Sequence, residues 1–142
     1  MKDDTSGAPP AAGEVGGGTL SIRSPFGVPE TVDRIRRALE AKGLDLFALV
    51  DHSGAAHEAG LAMNDTKLLV FGNPKAGTPA MVAAPLLAIE LPLKALVWTD
   101  DAGVVRVGYQ DPAELQRRYQ VPDEVMGPLS HVGELLAAAL AS

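Results

Sequence analysis

Apolar and polar positions alternate first at Leu20-Ser21-Ile22-Arg23, the period-two signature of a strand with one buried face, and Pro25 to Gly27 ends it. From about Pro29 the period lengthens: Val32, Ile35 and Leu39 share one face of a predicted helix with charges opposite, and Gly43 suits its left-handed stop. Leu44–Val50 and Leu68–Phe71 carry apolar residues on both alternating faces, which predicts central strands buried on both faces. Between them His52–Gly60 reads as a short helix or turn. Thr78 and Pro79 look like the cap and first turn of the next helix, which Pro85 should kink or shorten.

Leu93–Trp98, the turn Thr99–Gly103 and the face Val105, Val107, Tyr109 predict a hairpin. Asp111-Pro112-Ala113-Glu114 opens a helix in the manner of a capping box. Pro122 and Gly127-Pro128 interrupt before a final amphipathic helix carrying Val132, Leu135, Leu136, Ala139 and Leu140. The predicted order is β-α-β-(α)-β-α-β-β-α-α. Residues 1–18 are rich in Gly, Pro and Ala, and after Met1 the one sizeable apolar side chain is Val15. They are expected to be a disordered tail ahead of a single α+β domain over residues 19–142.

Composition narrows the chemistry. The 142 residues contain no cysteine, which removes disulfides, thiolate catalysis and cysteine-based metal sites. A formal charge of −6 speaks against nucleic acid, because phosphate neutralisation needs clustered cations. Arg34, Arg36 and Arg37 lie among Glu30, Asp33 and Glu40, as on a solvated helix face. No apolar run reaches the roughly 20 residues of a membrane span, and the amino terminus lacks the apolar stretch of a secretory signal. No membrane partner and a cytoplasmic location are the expectation.

Two clusters invite a functional reading. Gly72–Pro79 joins a strand to a helix start, where free N–H groups and the helix dipole attract anions, and Lys75 adds charge. Its glycines, Gly72 and Gly77, match the opening of a phosphate-binding loop. The match then fails, with Thr78 in place of the lysine and Pro79 in place of the hydroxyl residue. The bland account is a tight turn in which Asn73 bonds local backbone and Lys75 is solvated. The second cluster is Asp51, His52, His57 and Glu58. The two histidines are five apart and diverge by about 140° on a helix, against metal spacing, although Asp51 could orient His52 as an acid/base. Asp100-Asp101 falls in a hairpin turn, where Asp supports turn geometry.

Asp51-His52, the block from Thr66 through Phe71-Gly72-Asn73-Pro74 to Pro79, Leu91–Trp98 and Tyr109-Gln110-Asp111-Pro112 together resemble the family called domain of unknown function 302. The resemblance covers roughly residues 20–125. It implies a compact α+β domain with a curved, mainly antiparallel sheet, helices on one face and a tendency to homodimerise, and it supplies no activity.

The leading expectation is a non-enzymatic homodimer that needs no cofactor or metal. It would bind a small anionic or amphipathic molecule near His52, Asn73, Lys75, Gly77 and Thr78. The alternatives are an enzyme with His52 as general acid/base and Lys75 as electrostatic stabiliser, and a structural or protein-interaction module. The homodimer follows from the strands apolar on both sides: with helices on one face, Phe47, Leu49, Leu69 and Phe71 would be left for a partner.

Overall fold

The computed structural model describes residues 13–141. Strands β1 (Gly13–Gly16), β2 (Thr19–Ser24), β3 (Asp45–Asp51), β4 (Thr66–Gly72), β5 (Leu93–Thr99) and β6 (Val105–Gln110) form one sheet. Its order is β1-β2-β6-β5-β4-β3, and every neighbouring pair is antiparallel. The helices are α1 (Val28–Ala41), α2 (His52–Glu58), α3 (Pro74–Ala83), α4 (Pro112–Tyr119), α5 (Asp123–Met126) and α6 (Val132–Leu140), with 3₁₀ turns at Pro85–Ile89 and Gly127–Leu129. The α+β class and the order of elements agree with the sequence pattern.

Register sorts the side chains. Ile22, Val107, Val97 and Lys67 lie in one cross-strand row, and Tyr109, Ala95 and Leu69 in the next. The apolar members of these rows meet Val28, Val32, Ile35 and Leu39 of α1 and Val132, Leu136 and Leu140 of α6 in one core. Helix α1 stops as expected: Gly43 takes φ +70°, its N–H donates to Glu40, and the N–H of Leu44 reaches back to Leu39. A second cluster joins Ala80 and Ala84 of the α3 segment, Leu87, Leu115, Val121, Met126 and Leu129.

Three expectations need correction. The strand expected at Leu44–Val50 is the sheet edge, not its centre; among the described residues it pairs only with β4, and Phe47, Leu49 and Val50 are exposed. Leu69 and Phe71 face the helices and are fully buried, so they do not belong to an open apolar face. The open face carries Val50, Leu68 and Leu96 in one row, with Trp98 of the adjoining row lying against Gly108. Finally, helix α3 begins at Pro74, four residues before Thr78, because Asn73 caps it and Pro74 fills the first helical position. Pro79 therefore lies inside the helix. Beyond Ala83 the backbone at Ala84 leaves the helical region, with φ −139° and ψ 84°, and Pro85 opens a 3₁₀ turn.

Part of the segment read as a tail is ordered into the sheet. Gly16, Gly17 and Gly18 have φ of +100°, +64° and +75°, a run of left-handed residues that only glycine adopts without strain, and it turns β1 onto β2. Gly18 also accepts the N–H of Asp111 at 2.8 Å and packs so closely on Glu114 that a Cβ would sit 2.5 Å from its Cγ. The expectation for residues 1–12 lies outside the described residues.

Candidate functional site

A cleft of about 820 Å³ opens where the two apolar clusters meet, between α3, α6 and the β3 edge. Buried Phe71, Leu129 and Val132 lie deepest, and half-buried Leu44, Met81, Leu91, Leu93 and Leu135 form the walls. The polar lining residues are Lys42, Asn73, Thr78, His131 and Glu134. All of these except Asn73 are exposed, which puts charge and hydrogen-bonding groups at the mouth and carbon at the floor.

Asn73 is built into that mouth by two bonds. Its Oδ1 accepts the N–H of Lys75 at 2.8 Å, capping α3, and its Nδ2 donates to the carbonyl of Gly43 at 3.4 Å. The N–H groups of Ala76 and Gly77 donate to the Asn73 carbonyl at 2.9 and 3.0 Å, and Pro74 has none to offer. The start of α3 is thus self-satisfied. The sequence signal for an anion at this helix end counted donors that the cap and first turn consume. At the α6 side of the cleft His131 Nδ1 stands 3.7 Å from Glu134 Oε2, one turn along the start of α6.

Of the five residues expected to form a site, Asn73, Gly77 and Thr78 line the cleft together. Lys75 is exposed and absent from the lining. His52 lies elsewhere. Asp51 pairs with Lys67 and Asp45 with Gly72, so β3 carries His52 to the far end of the strand pair. At the ordinary rise per residue this is about 20 Å from the Asn73 loop. His52 and Lys75 therefore do not meet as acid/base and electrostatic stabiliser.

The His52 region has a local structural logic. Asp51 Oδ1 accepts the Gly54 N–H at 2.9 Å, capping α2, and also Lys67 Nζ at 2.8 Å. Buried Ser53 donates to Asp51 and accepts the Thr66 N–H at 3.1 Å. The bond from Lys67, then those from Gly54 and Ser53, pull the Asp51 carboxyl down to about 2. Both His52 and His57 are exposed, and among the described residues no three His, Asp or Glu side chains are grouped to hold a metal ion. The acidic turn is likewise structural: Asp100 accepts the N–H groups of Ala102 and Val104 and Arg106 Nε at 2.7 Å.

Sequence reasoning missed Lys42, Phe47, His131, Glu134 and Leu135 as cleft residues, since three separate segments bring them together. The available signal was the second stripe of α6, where His131, Glu134, Leu135 and Ala138 recur at helical spacing beside the buried Val132, Leu136 and Leu140.

The fold is that of an α+β domain built on one antiparallel sheet. Residues 20–142 match the family described as "Domain of unknown function DUF302". The chain belongs to that family. The crystal structure of an uncharacterized conserved DUF302 protein from Bacillus stearothermophilus has the same fold, with a TM-score of 0.73 at 20% identity. The match covers 88% of this chain and 97% of that one. The chain is also 36% identical over 113 residues to a protein named "Fluoride-specific ion channel FluC 1" from Brucella suis biovar 1, covering 80% of this chain and 44% of that protein. A relative called "Fluoride-specific ion channel FluC 2" from Brucella melitensis biotype 1 is 36% identical over 113 residues, 42% of its length. The chain spans less than half the length of these curated relatives. Among the described residues no helix is long and apolar enough to cross a membrane.

Proposed function

We propose that this domain is a non-enzymatic binder of a small, mainly apolar molecule with a polar end, held in the cleft between α3 and α6. The observation that carries the reading is the cleft itself. Its volume of about 820 Å³ falls within the range of small-molecule pockets, about 300–1,000 Å³, and its floor of Phe71, Leu129 and Val132 is carbon throughout. Asn73 and Thr78 at the mouth would orient the polar end. The acid/base reading of His52 loses its support through the separation from Lys75. The fluoride named for the Brucella relatives does not transfer readily, because a bare fluoride ion needs clustered N–H or O–H donors and these walls are hydrocarbon.

The test is titration of the full chain with the neutral fluorescent probe N-phenyl-1-naphthylamine. Saturable one-to-one binding is expected, and Ala138→Trp, which fills the cleft from an exposed helix position, should abolish it without lowering the melting temperature. Absence of saturable binding, or binding indifferent to Ala138→Trp, would sink the reading.

A homodimer is the companion proposal, and its support is the β3 edge. Phe47, Leu49 and Val50 are 52%, 47% and 38% exposed, and Leu68 and Leu96 continue the Val50 row across the open face. Apolar surface of this kind on a sheet edge favours burial against a partner, most simply a second copy.

A further inference from the structure

We infer that the cleft selects amphiphiles with an anionic head, and that Lys42 makes the selection; the inference rests on the binding role proposed above. The start of α3, where the sequence suggested an anion would sit, has its first-turn donors engaged by Asn73. An anionic head at this mouth must then be met by a side-chain cation. Lys75 is excluded from the lining, whereas Lys42 lines the cleft, is exposed, and has no ion-pair partner among the described residues.

The position of Lys42 is fixed from both sides. It closes α1, its N–H donating to Ala38 and Leu39, and it precedes Gly43, whose carbonyl is held by Asn73. An ammonium on that joint sits at the mouth, with Phe71, Leu129 and Val132 below it. Glu134 lines the same mouth from the start of α6, with His131 Nδ1 3.7 Å from its Oε2. A carboxylate head is drawn to Lys42, with its tail directed at the floor.

The α3 wall adds no carboxylate of its own: of the chain's 18 acidic residues none falls between Asp65 and Glu90, the stretch that supplies β4, α3 and the turn behind it.

The experiment uses the full chain at fixed ionic strength, with dodecanoate, dodecan-1-ol and dodecyltrimethylammonium, each below its micelle concentration, displacing N-phenyl-1-naphthylamine. Dodecanoate should bind about 5-fold more tightly than the alcohol, the scale of one solvent-exposed ion pair, and the cation more weakly than either. Lys42→Gln should erase the carboxylate preference while leaving the alcohol's affinity in place. Lys75→Gln, which changes the net charge equally, should retain the preference. Equal affinities for the three amphiphiles, or a preference that survives Lys42→Gln, would overturn the role of Lys42 and leave the cleft a binding site. Binding of none of them would overturn both readings.

Discussion

Asn73 donates through Nδ2 to the carbonyl of Gly43 across 3.4 Å, and so ties the start of α3 to the end of α1 at the mouth of the cleft. One amide side chain serves both elements, since its Oδ1 caps α3. Replacing it should loosen both. Asn73→Ala is expected to cost about 1–2 kcal/mol, the value of a lost cap. Asn73→Asp keeps the cap and gains from the helix dipole but loses the donor to Gly43. Urea denaturation should rank the proteins wild type, Asp, Ala. If alanine matched wild type, the cap would contribute nothing to stability.

Acid should weaken the fold in a specific window through Asp51. Its folded value of about 2 lies below the ordinary carboxyl value near ~3.9. A carboxyl depressed in this way stabilises the fold fully above the unfolded value, and the contribution fades as pH falls from about 4 towards 2. Asp51→Asn keeps an acceptor for the Gly54 N–H but cannot titrate. The wild type should start more stable at pH 6 and lose its advantage between about pH 4 and 2. A constant gap between the two urea midpoints across that range would show that Lys67 does not favour the ionised form.

Tyr109 and Gly133 lock α6 to the sheet. A Cβ at position 133 would lie 2.5 Å from the Tyr109 hydroxyl, and Tyr109 is buried. Overpacking costs about 1–3 kcal/mol, against about 1 kcal/mol gained from helix propensity on replacing glycine by alanine. Gly133→Ala should therefore destabilise on balance. Adding Tyr109→Phe, which removes the obstructing oxygen, should recover part of the loss in thermal melts. A double variant no more stable than Gly133→Ala alone would place the conflict elsewhere.

Glu90 gathers the far end of the sheet. Its carboxylate accepts Tyr119 Oη at 2.6 Å and Gln110 Nε2 at 2.5 Å, while Lys94 Nζ reaches its backbone carbonyl at 2.8 Å. Tyr119→Phe deletes one hydrogen bond to an ionised group and should lower stability modestly, the pair being partly exposed. Chemical denaturation measures it, and an unchanged midpoint would mean that water replaces the phenol.

Sedimentation equilibrium at micromolar concentration tests the homodimer. Twice the chain mass is expected, reduced towards the monomer by Phe47→Asp or Val50→Asp, both at exposed edge positions that should tolerate charge without unfolding. A monomer for the unmodified chain would exclude the β3 interface.

Local codes carried most of the fold. Gly43 ended α1, Asp111 capped α4, and the Asp100 turn closed the β5–β6 hairpin, each through bonds within a few residues. Where two local codes competed, the wrong one was favoured: Asn73-Pro74 and Thr78-Pro79 are both plausible helix starts, and the earlier one prevailed with Pro79 tolerated inside the helix. The rank of β3 was beyond local reading. A strand apolar on both faces looks the same at a centre or an edge, and the choice depends on β6 pairing with β2 rather than with β3. The glycine run before β2 read as part of a disordered tail because composition does not register the left-handed angles of Gly16, Gly17 and Gly18. The cleft was half legible: the Asn73–Thr78 wall was visible, but Lys42 and His131 reach it only through tertiary packing.

The sheet order has a kinetic consequence. β3, β4 and β5 follow one another along the chain and as neighbours in the sheet, whereas β2 must find β6 across nearly the whole sequence between them. Closing so long a loop spends entropy before any contact repays it, which slows folding relative to a locally wired helical bundle. During synthesis the β3–β4–β5 meander can assemble early. The amino-terminal hairpin then waits for Val105–Gln110 to leave the ribosome, and until that strand arrives β5 presents an unpaired edge to any other chain nearby.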